Sequence, residues 1–533
     1  MTVSASTRPA PPTVWGVLRH PGFKGLWSGG SVYFIGNAML TMAAAWRMVE
    51  VDGSSFLAAL VQTASFLPMF LLVLPAGVLA DISDRRRLIQ RALGVQAVLV
   101  ALLSVLTMVG AAPALLILLL IFVSGCCTAL MSPAWNSSIA ESVPRDELPQ
   151  AITLVGIAFN AARAVGPALA GAAFLWIGAG GIFSLAVAGT LWFMHMVRRH
   201  PPAPHPPTRL PPERLWGGTM SAIRFARHSE VVLAQLVRTV AFGAAGSALW
   251  ALLPAVGQQQ LGQGAAGYGL LMGCMGGGAV LTGLWVGRAR TRIGLERLVG
   301  GACIVYATVT VVAAFSRQPA LTYPALVAAG GAWMAAMSTF NTATQTSVPP
   351  WVRARANALH TLSALGPFAI GSAFWGALAV PLGLSNALSL SALAMLTGLV
   401  LMRRFPLRVG ALREVTPASV FDDFHISEQP HPDAGPVAVE IAYQVDPAHT
   451  AAFLEAVALL RAPRQRDGAT FWRLYRDLGG SGAYVERFIV DSWADYLHQR
   501  SRATQADEAL EAQVRAFLVD GSTVQVRHYI AEQ

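Results

Sequence analysis

The stretch that decides the fold is Gly77-Val78-Leu79-Ala80-Asp81-Ile82-Ser83-Asp84-Arg85-Arg86-Arg87. An apolar run ends at Leu79-Ala80, an acid follows at once, and three arginines stand one short turn later. A charge cluster this dense, set between two hydrophobic spans, reads as a short loop on the cytoplasmic face of a membrane. Outward from it, apolar stretches of about 20 residues recur, the length that crosses a hydrocarbon core of about 30 Å. Composition agrees. Charged residues are 12% of the chain, about half the ~25% of soluble domains. Hydrophobic residues are 54%, and mean hydropathy is +0.52. The chain reads as a polytopic membrane protein.

The net charge of +10 would suggest a nucleic-acid binder if position were ignored. Position is the informative part. Arg85, Arg86, Arg87 and Arg91 follow one span, and Arg198 and Arg199 end another. Arg288, Arg290, Arg292 and Arg297 fill a third loop, and Arg403, Arg404 and Arg408 follow the last span. The alternate loops are nearly bare, with Arg317 the exception. This positive-inside pattern predicts that both termini are cytoplasmic. The basic balance therefore concerns topology and the lipid bilayer, with no nucleic-acid partner. Residues 1–21 are polar and carry prolines, and the apolar stretch after them is too long for a signal-peptide core. Cys126, Cys127, Cys274 and Cys303 all fall in apolar spans and read as packing residues, with no metal spacing among them.

Twelve spans can be placed, centred near residues 36, 67, 100, 124, 163, 185, 245, 275, 307, 333, 368 and 392. After a tail at 1–21, residues 22–200 form a first six-helix bundle and 231–404 a second. The linker at 201–230 begins with the proline-rich His200 to Pro207, an extended spacer. The halves repeat each other. Asn136-Ser137-Ser138-Ile139-Ala140-Glu141-Ser142-Val143-Pro144 lies over Asn341-Thr342-Ala343-Thr344-Gln345-Thr346-Ser347-Val348-Pro349, and Gly166-Pro167 is echoed by Gly366-Pro367.

A linker at 405–435 leads to a soluble domain at 436–533. Val437, Val439, Ile441 and Tyr443 alternate as a half-buried strand does. Asp446-Pro447 starts a helix, and strands are expected at Thr470–Tyr475 and Tyr484–Val490. Ser492-Trp493-Ala494-Asp495 opens a helix running to about Leu518, and Thr523–Ile530 closes with a strand. The order βαββαβ predicts a ferredoxin-like α+β domain. It resembles the small dimeric α/β-barrel domains of antibiotic-biosynthesis monooxygenases, which implies a homodimer through this part. Trp472, His449, His498 and His528 are its candidate ligand-facing residues, and a dimerisation or product-handling module is preferred to catalysis.

The pattern Gly-x-Leu-x-Asp-x-x-x-Arg-Arg-Arg resembles the loop between helices two and three of the major facilitator superfamily of secondary transporters. Gly77, Leu79, Asp81, Arg85, Arg86 and Arg87 fall on it, while Ile82 and Asp84 depart from it. Gly77 is expected to let neighbouring helices approach closely. Asp81 is expected to pair with an arginine in one conformation and release it in the other. The second-half counterpart has Gly287 in place of the acid. Two parallel six-helix repeats are this superfamily's architecture, with substrate handled between the halves near midplane. Ala162 to Gly171 resembles the antiporter signature Gly-x-x-x-Gly-Pro-x-x-Gly-Gly, matching at Gly166, Pro167 and Gly171. In the family that motif goes with export.

Arg163 lies within the same span. An arginine at membrane depth is costly and marks a functional site. Asn160, three residues earlier on the same helical face, joins it as a candidate holder of an anionic or oxygen-rich substrate. Tyr33, Asn37 and Thr41 form a polar stripe that either lines the cavity, the favoured reading, or hydrogen-bonds between helices. Gln62 and Ser65 extend that wall. No Asp or Glu stands near the middle of a span. Proton coupling therefore falls to Glu50, which Arg47 precedes by one turn, or to His360.

Lys24 is the chain's single lysine, and Phe23-Lys24-Gly25 is no P-loop. An ATP-driven pump is thereby excluded. No short filter segment or charged ring suggests a channel. No cofactor is expected and the chain is not read as an enzyme. The alternative is a transporter whose C-terminal domain acts on the cargo, monooxygenase-like. Across residues 15–405 the resemblance points to the enterobactin-exporter-like branch of transmembrane secretion effectors, carried by Gly77 to Asp81, Asp84 to Arg87, Ser142-Val143-Pro144 and Gly166-Pro167. It implies proton-driven export of a siderophore or a hydrophobic drug-like metabolite across the inner membrane of a bacterium.

Overall fold

A computed structural model describes residues 14–144, 147–199, 215–349, 351–418, 430–480 and 482–532. Contacts divide the chain into two compact units. The first comprises Met1–Arg209, Thr239–Thr339 and Leu362–Leu401; the second comprises Leu210–Arg238, Phe340–Thr361 and Met402–Gln533.

The helices of the first half are α1 (Pro21–Asp52), α2 (Ser55–Ile82), α3 (Arg85–Met108), α4 (Ala114–Glu141) and α5 (Leu148–Arg199). Their ends follow local chemistry. Pro21 opens α1, and Gly53, at φ +61°, closes it. The Ser54 side chain accepts a hydrogen bond from the Leu57 N–H and starts α2. α5 has 52 residues, about 78 Å at 1.5 Å per residue, more than twice a hydrocarbon core. Gly178 breaks it at φ 62°, ψ −176°, a conformation that glycine tolerates. This is the bare loop expected between the fifth and sixth spans.

After α6 (Leu215–His228), the second half has α7 (Glu230–Ala255), α8 (Ala265–Gly283), α9 (Val286–Ile293), α10 (Leu295–Phe315), α11 (Pro319–Thr346), α12 (Arg353–Leu382) and α13 (Leu384–Thr397). The repeat is visible in the helices: α4 and α11 have 28 residues each and end at the aligned Glu141 and Thr346. Nine helices among the described residues are long and apolar enough to cross a membrane. The linker read at 201–230 holds α6 in its second part. His200 to Pro207 lie outside the described residues.

Within the first unit, α1 packs along α5, α2 against α4, α3 against α4 and α5, and α10 against α13. Tyr33, Trp135 and Phe193 are buried together in the first-half core.

The short turns α14 (Leu401–Arg404) and α15 (Leu412–Val415) precede a four-stranded sheet, which belongs to the second unit. Its strands are β1 (Val437–Gln444), β2 (Phe471–Arg476), β3 (Ala483–Val490) and β4 (Gln525–Ile530), in the order β2-β3-β1-β4. Every pairing is antiparallel, and Val439 stands between Phe488 and His528. Four helices go with the sheet: α16 (Thr450–Leu459), α17 (Arg461–Asp467), α18 (Trp493–Arg502) and α19 (Gln505–Arg515). The single helix expected from Ser492 to Leu518 is two. Thr504 and Asp507 form a capping box that starts α19, and this Thr-x-x-Asp signal divides what helical periodicity alone reads as continuous.

Candidate functional site

The opening stretch folds as its chemistry requires. α2 ends at Ile82, Ser83 is extended, and the Asp84 carboxylate accepts the Arg87 N–H at 3.1 Å to start α3. Asp84, which departs from the family pattern, is thus a helix cap, well placed at a positive helix end. Arg85 pairs with Glu141 at the end of α4, and Arg86 donates to the carbonyl of Arg198. Arg87 reaches back to Asp84 at 3.5 Å. Leu79 lies in the last turns of α2, as does Asp81, whose side chain falls outside the described residues. One expectation is corrected. A Cβ placed on Gly77 would meet nothing within 4 Å, so Gly77 is not a point of close helix approach. Glu141 as the loop's partner was not foreseen. Neither was Glu147, which is buried and held by Arg19 and His20. Glu141 lies within the first copy of the repeat and Glu147 just after it, which was the available signal.

The close approach lies instead along α5. A Cβ on Gly166 would stand 2.7 Å from the Ala38 Cβ of α1. On the opposite side, a Cβ on Gly171 would stand 2.9 Å from the Gly269 Cα of α8. One on Gly269 would stand 2.6 Å from the Pro167 carbonyl oxygen, and one on Gly273 3.2 Å from Ala168. Gly276 faces Ala164 with no room for a side chain. Helices α5 and α8, one from each half, therefore meet backbone to backbone through small residues spaced along both. The antiporter-like motif is this seam.

Arg163 sits beside it. Its guanidinium lies over the Trp250 ring, 5.1 Å from the centroid. Trp250 opens a continuous aromatic wall: Trp333 is 6.0 Å away, and Trp333 meets Phe242 at 5.4 Å, Tyr306 at 5.8 Å and Phe368 at 5.6 Å. Phe66 of α2 completes it, 5.2 Å from Phe368. The Trp250 indole N–H is buried without a hydrogen-bond partner, as is the Tyr268 hydroxyl, whose ring stacks on Trp46. Sequence reasoning missed the wall. A tryptophan in the middle of α11 was its one signal, since membrane tryptophans favour the interfaces.

The polar stripe of α1 divides. The Tyr33 hydroxyl is buried and bonds Gln96 at 3.1 Å and Thr128 at 2.8 Å, so Tyr33 joins helices within the first bundle. Thr41 donates to the carbonyl of Asn37, and Asn160 to that of Gly156. Ser65 likewise bonds one turn back, to Val61. Gln62 is buried on α2. The pair at the end of α1 forms as expected: Arg47 meets Glu50 at 3.1 Å, and the Trp46 indole donates to the same carboxylate at 2.9 Å. His360 is buried on α12 with its Nδ1 unpartnered.

In the C-terminal fold the four candidate ligand-facing residues do not converge. The Trp472 indole donates to Glu486, His449 faces Asp446 at 3.3 Å, and His528 pairs with the Tyr496 hydroxyl at 2.6 Å. His498 lies on α18, its ring held below the ordinary imidazole range by burial and then by Arg502. Glu486 is fully buried and satisfied by Tyr443, Trp472 and Arg464. No metal-capable group of acids, cysteines and histidines occurs among the described residues.

The helices, the inter-half seam and the aromatic wall define a multi-pass membrane transporter of the major facilitator fold. The chain belongs to the transmembrane secretion effector family, whose profile matches residues 12–533. It is 30% identical over 129 residues to macrolide efflux protein A of Streptococcus pyogenes, a match covering 24% of this chain and 31% of that protein. The match thus spans about a third of that relative's length. Among solved structures it resembles the nucleoside transporter NupG (TM-score 0.59, 12% identity, 72% of this chain and 100% of that one). It also resembles an inward-facing bacterial homologue of the human lysosomal transporter Spinster (TM-score 0.56, 15% identity, 72% and 95%). A third is the human organic anion transporter MFSD10 (TM-score 0.52, 14% identity, 74% and 100%). At these identities the likeness concerns the fold. Family and neighbours are transporters, not enzymes.

Proposed function

We propose that the protein exports a ring-bearing, anionic or oxygen-rich metabolite, a siderophore or hydrophobic drug-like compound, by proton-driven alternating access. The observation that carries this reading is Arg163 stacked on Trp250 at the head of the aromatic wall. A guanidinium at membrane depth recognises an acid or clustered oxygens, aromatic rings take the apolar body, and the buried Trp250 N–H supplies a further donor. Arg163 and Trp250 bind substrate in this reading, with Asn37, Thr41, Gln62 and Asn160 lining the approach. Tyr33 drops out of that set, its hydroxyl being engaged. The macrolide efflux relative and the Gly166-Pro167 motif support export.

The reading has twelve membrane crossings: the nine apolar helices with α5 counted as two segments, together with α1 and α13. In this reading the arginine-rich loops face the cytoplasm of a bacterium together with both termini, and the protein lies in the inner membrane; the positive-inside pattern supports it. Glu50, bonded to Arg47 and Trp46, is the preferred proton-coupling group, and His360 the second choice. The sheet order β2-β3-β1-β4 supports a ferredoxin-like C-terminal domain and, through the sheet face opposite its helices, a homodimer.

Binding of an aromatic acid and of its uncharged methyl ester to the purified transporter tests the site. The acid should bind at least tenfold more tightly, and Arg163→Ala should erase the difference. Equal affinities in the wild type would remove Arg163 from the site.

A further inference from the structure

The second unit joins the C-terminal fold to the ends of three helices in the second half. Phe225 of α6, Val232 of α7, Val348 and Val352 of the α11–α12 connection, and Ala356 of α12 form one buried apolar cluster, with Trp351 packed against it. Phe225 and Trp351 meet edge to face at 5.7 Å. Each of these rings carries an arginine from the C-terminal fold. The Arg466 guanidinium lies 5.6 Å from the Phe225 centroid, and that of Arg502 lies 4.5 Å from the Trp351 centroid. Arg224 of α6 donates to the Gly468 carbonyl at 3.4 Å.

The arginines are held in position. Asp467 grips Arg466 through two bonds of 2.8 Å, Asp507 adds one of 2.6 Å, and Arg502 donates to the Asp467 carbonyl at 3.0 Å. Burial works against the Arg466 charge, but the two carboxylates outweigh it and hold its pKa above the ordinary value. On the far side, Gln235 of α7 bonds both Ser347 and the Arg408 carbonyl at 3.1 Å, and the Gly410 N–H bonds Ser347 at 2.9 Å. The chain leaving the last span thus returns to the same helix ends. Preset cations over aromatic faces, shielded from water, form a specific docking contact.

We infer that the C-terminal fold is a splint, docked through Arg466–Phe225 and Arg502–Trp351, which makes the ends of α7, α11 and α12 move as one body during transport. The three ends are joined to each other and to α6 by one module, so a conformational step in one is carried to the others without needing contact between the connections themselves. This rests on the transporter reading above. It also has a consequence independent of transport: the helix ends should be protected from exchange only while docked.

The test uses the full chain with Phe225→Leu and Trp351→Leu together, which removes both π faces and leaves the C-terminal core untouched. A second variant, Phe225→Tyr with Trp351→Phe, keeps the faces. Hydrogen exchange should rise at least tenfold in residues 215–228 and 347–352 of the leucine variant while β1 and β3 stay protected. Transport should fall at least tenfold, and the aromatic variant should restore both. Faster exchange with unchanged transport would make the fold a passenger, and unchanged exchange would show that the arginine–aromatic pairs do not hold it. If the wild type carries no tested substrate, exchange alone decides: the proposed cargo fails, and docking stands or falls on the leucine variant.

Discussion

Gly269→Ala should unbalance alternating access, and its size follows from the seam. The new Cβ would stand 2.6 Å from the Pro167 carbonyl oxygen and 2.7 Å from the Gly171 Cα. Carbon atoms prefer about 3.5–4.0 Å, so α5 and α8 must part by roughly 1 Å. Neither clashing atom belongs to a flexible side chain. Overpacking of this kind costs about 1–3 kcal/mol. Alanine also favours the helix by about 0.8–1.0 kcal/mol over glycine, but α8 is helical in both conformations, so that gain cancels. The net effect is a shift of about 5- to 150-fold away from the seam-closed state. Gly277→Ala is the matched control, because a Cβ there meets nothing within 4 Å. Spin labels at the exposed Leu175 on α5 and Leu270 on α8 report the separation by pulsed electron resonance, with the four native cysteines replaced. Gly269→Ala should populate a longer distance and slow transport, and Gly277→Ala should do neither. Identical distance distributions and rates in the two variants would refute the seam as a moving contact.

Two further outcomes follow from charged groups. Asp81→Asn should sharply lower transport while membrane insertion survives, as measured by flux normalised to inserted protein; full flux would leave the loop a topology signal alone. Burial pushes the Asp467 carboxyl up, to about 6, against the pull of Arg466. The folded state therefore holds this proton more tightly than the unfolded chain, whose Asp titrates near about 3.9. The contribution is fully present below pH ~4 and is lost as pH rises through about 6, amounting to at most about 3 kcal/mol. Thermal unfolding of the full chain should show the wild type losing ground to Asp467→Asn across that window; parallel curves would contradict it.

What the sequence made legible was local. The break between α2 and α3 could be read from Leu79 to Arg87 because an acid at a helix start and arginines at a membrane surface act within a few residues. The break at Gly178 falls between the spans centred near residues 163 and 185, which could be read apart because one crossing takes only about 20 residues. Pairings between distant segments were not legible. Nothing near Arg163 in sequence announces Trp250, and nothing near Arg502 announces Trp351. Gly77 and Gly269 show the same limit. Both are glycines on apolar helices, but only Gly269 has a backbone against it, and sequence alone does not say which glycine faces a neighbour. The α6 helix was hidden because the prolines of 201–207 colour the whole linker, while Leu215 to His228 forms an ordinary helix. Trp351, in the loop after α11, lacked any local role and found one through Arg502.

The most direct test is accumulation in inverted membrane vesicles with an acid lumen. A labelled macrolide and a labelled catecholate siderophore are supplied outside, at the face that would be cytoplasmic. The wild type should concentrate at least one of them, a protonophore should collapse the gradient, and Arg163→Ala should reduce uptake at least tenfold. Accumulation that ignores the proton gradient, or that survives intact in Arg163→Ala, would contradict a proton-driven exporter that recognises its cargo through Arg163.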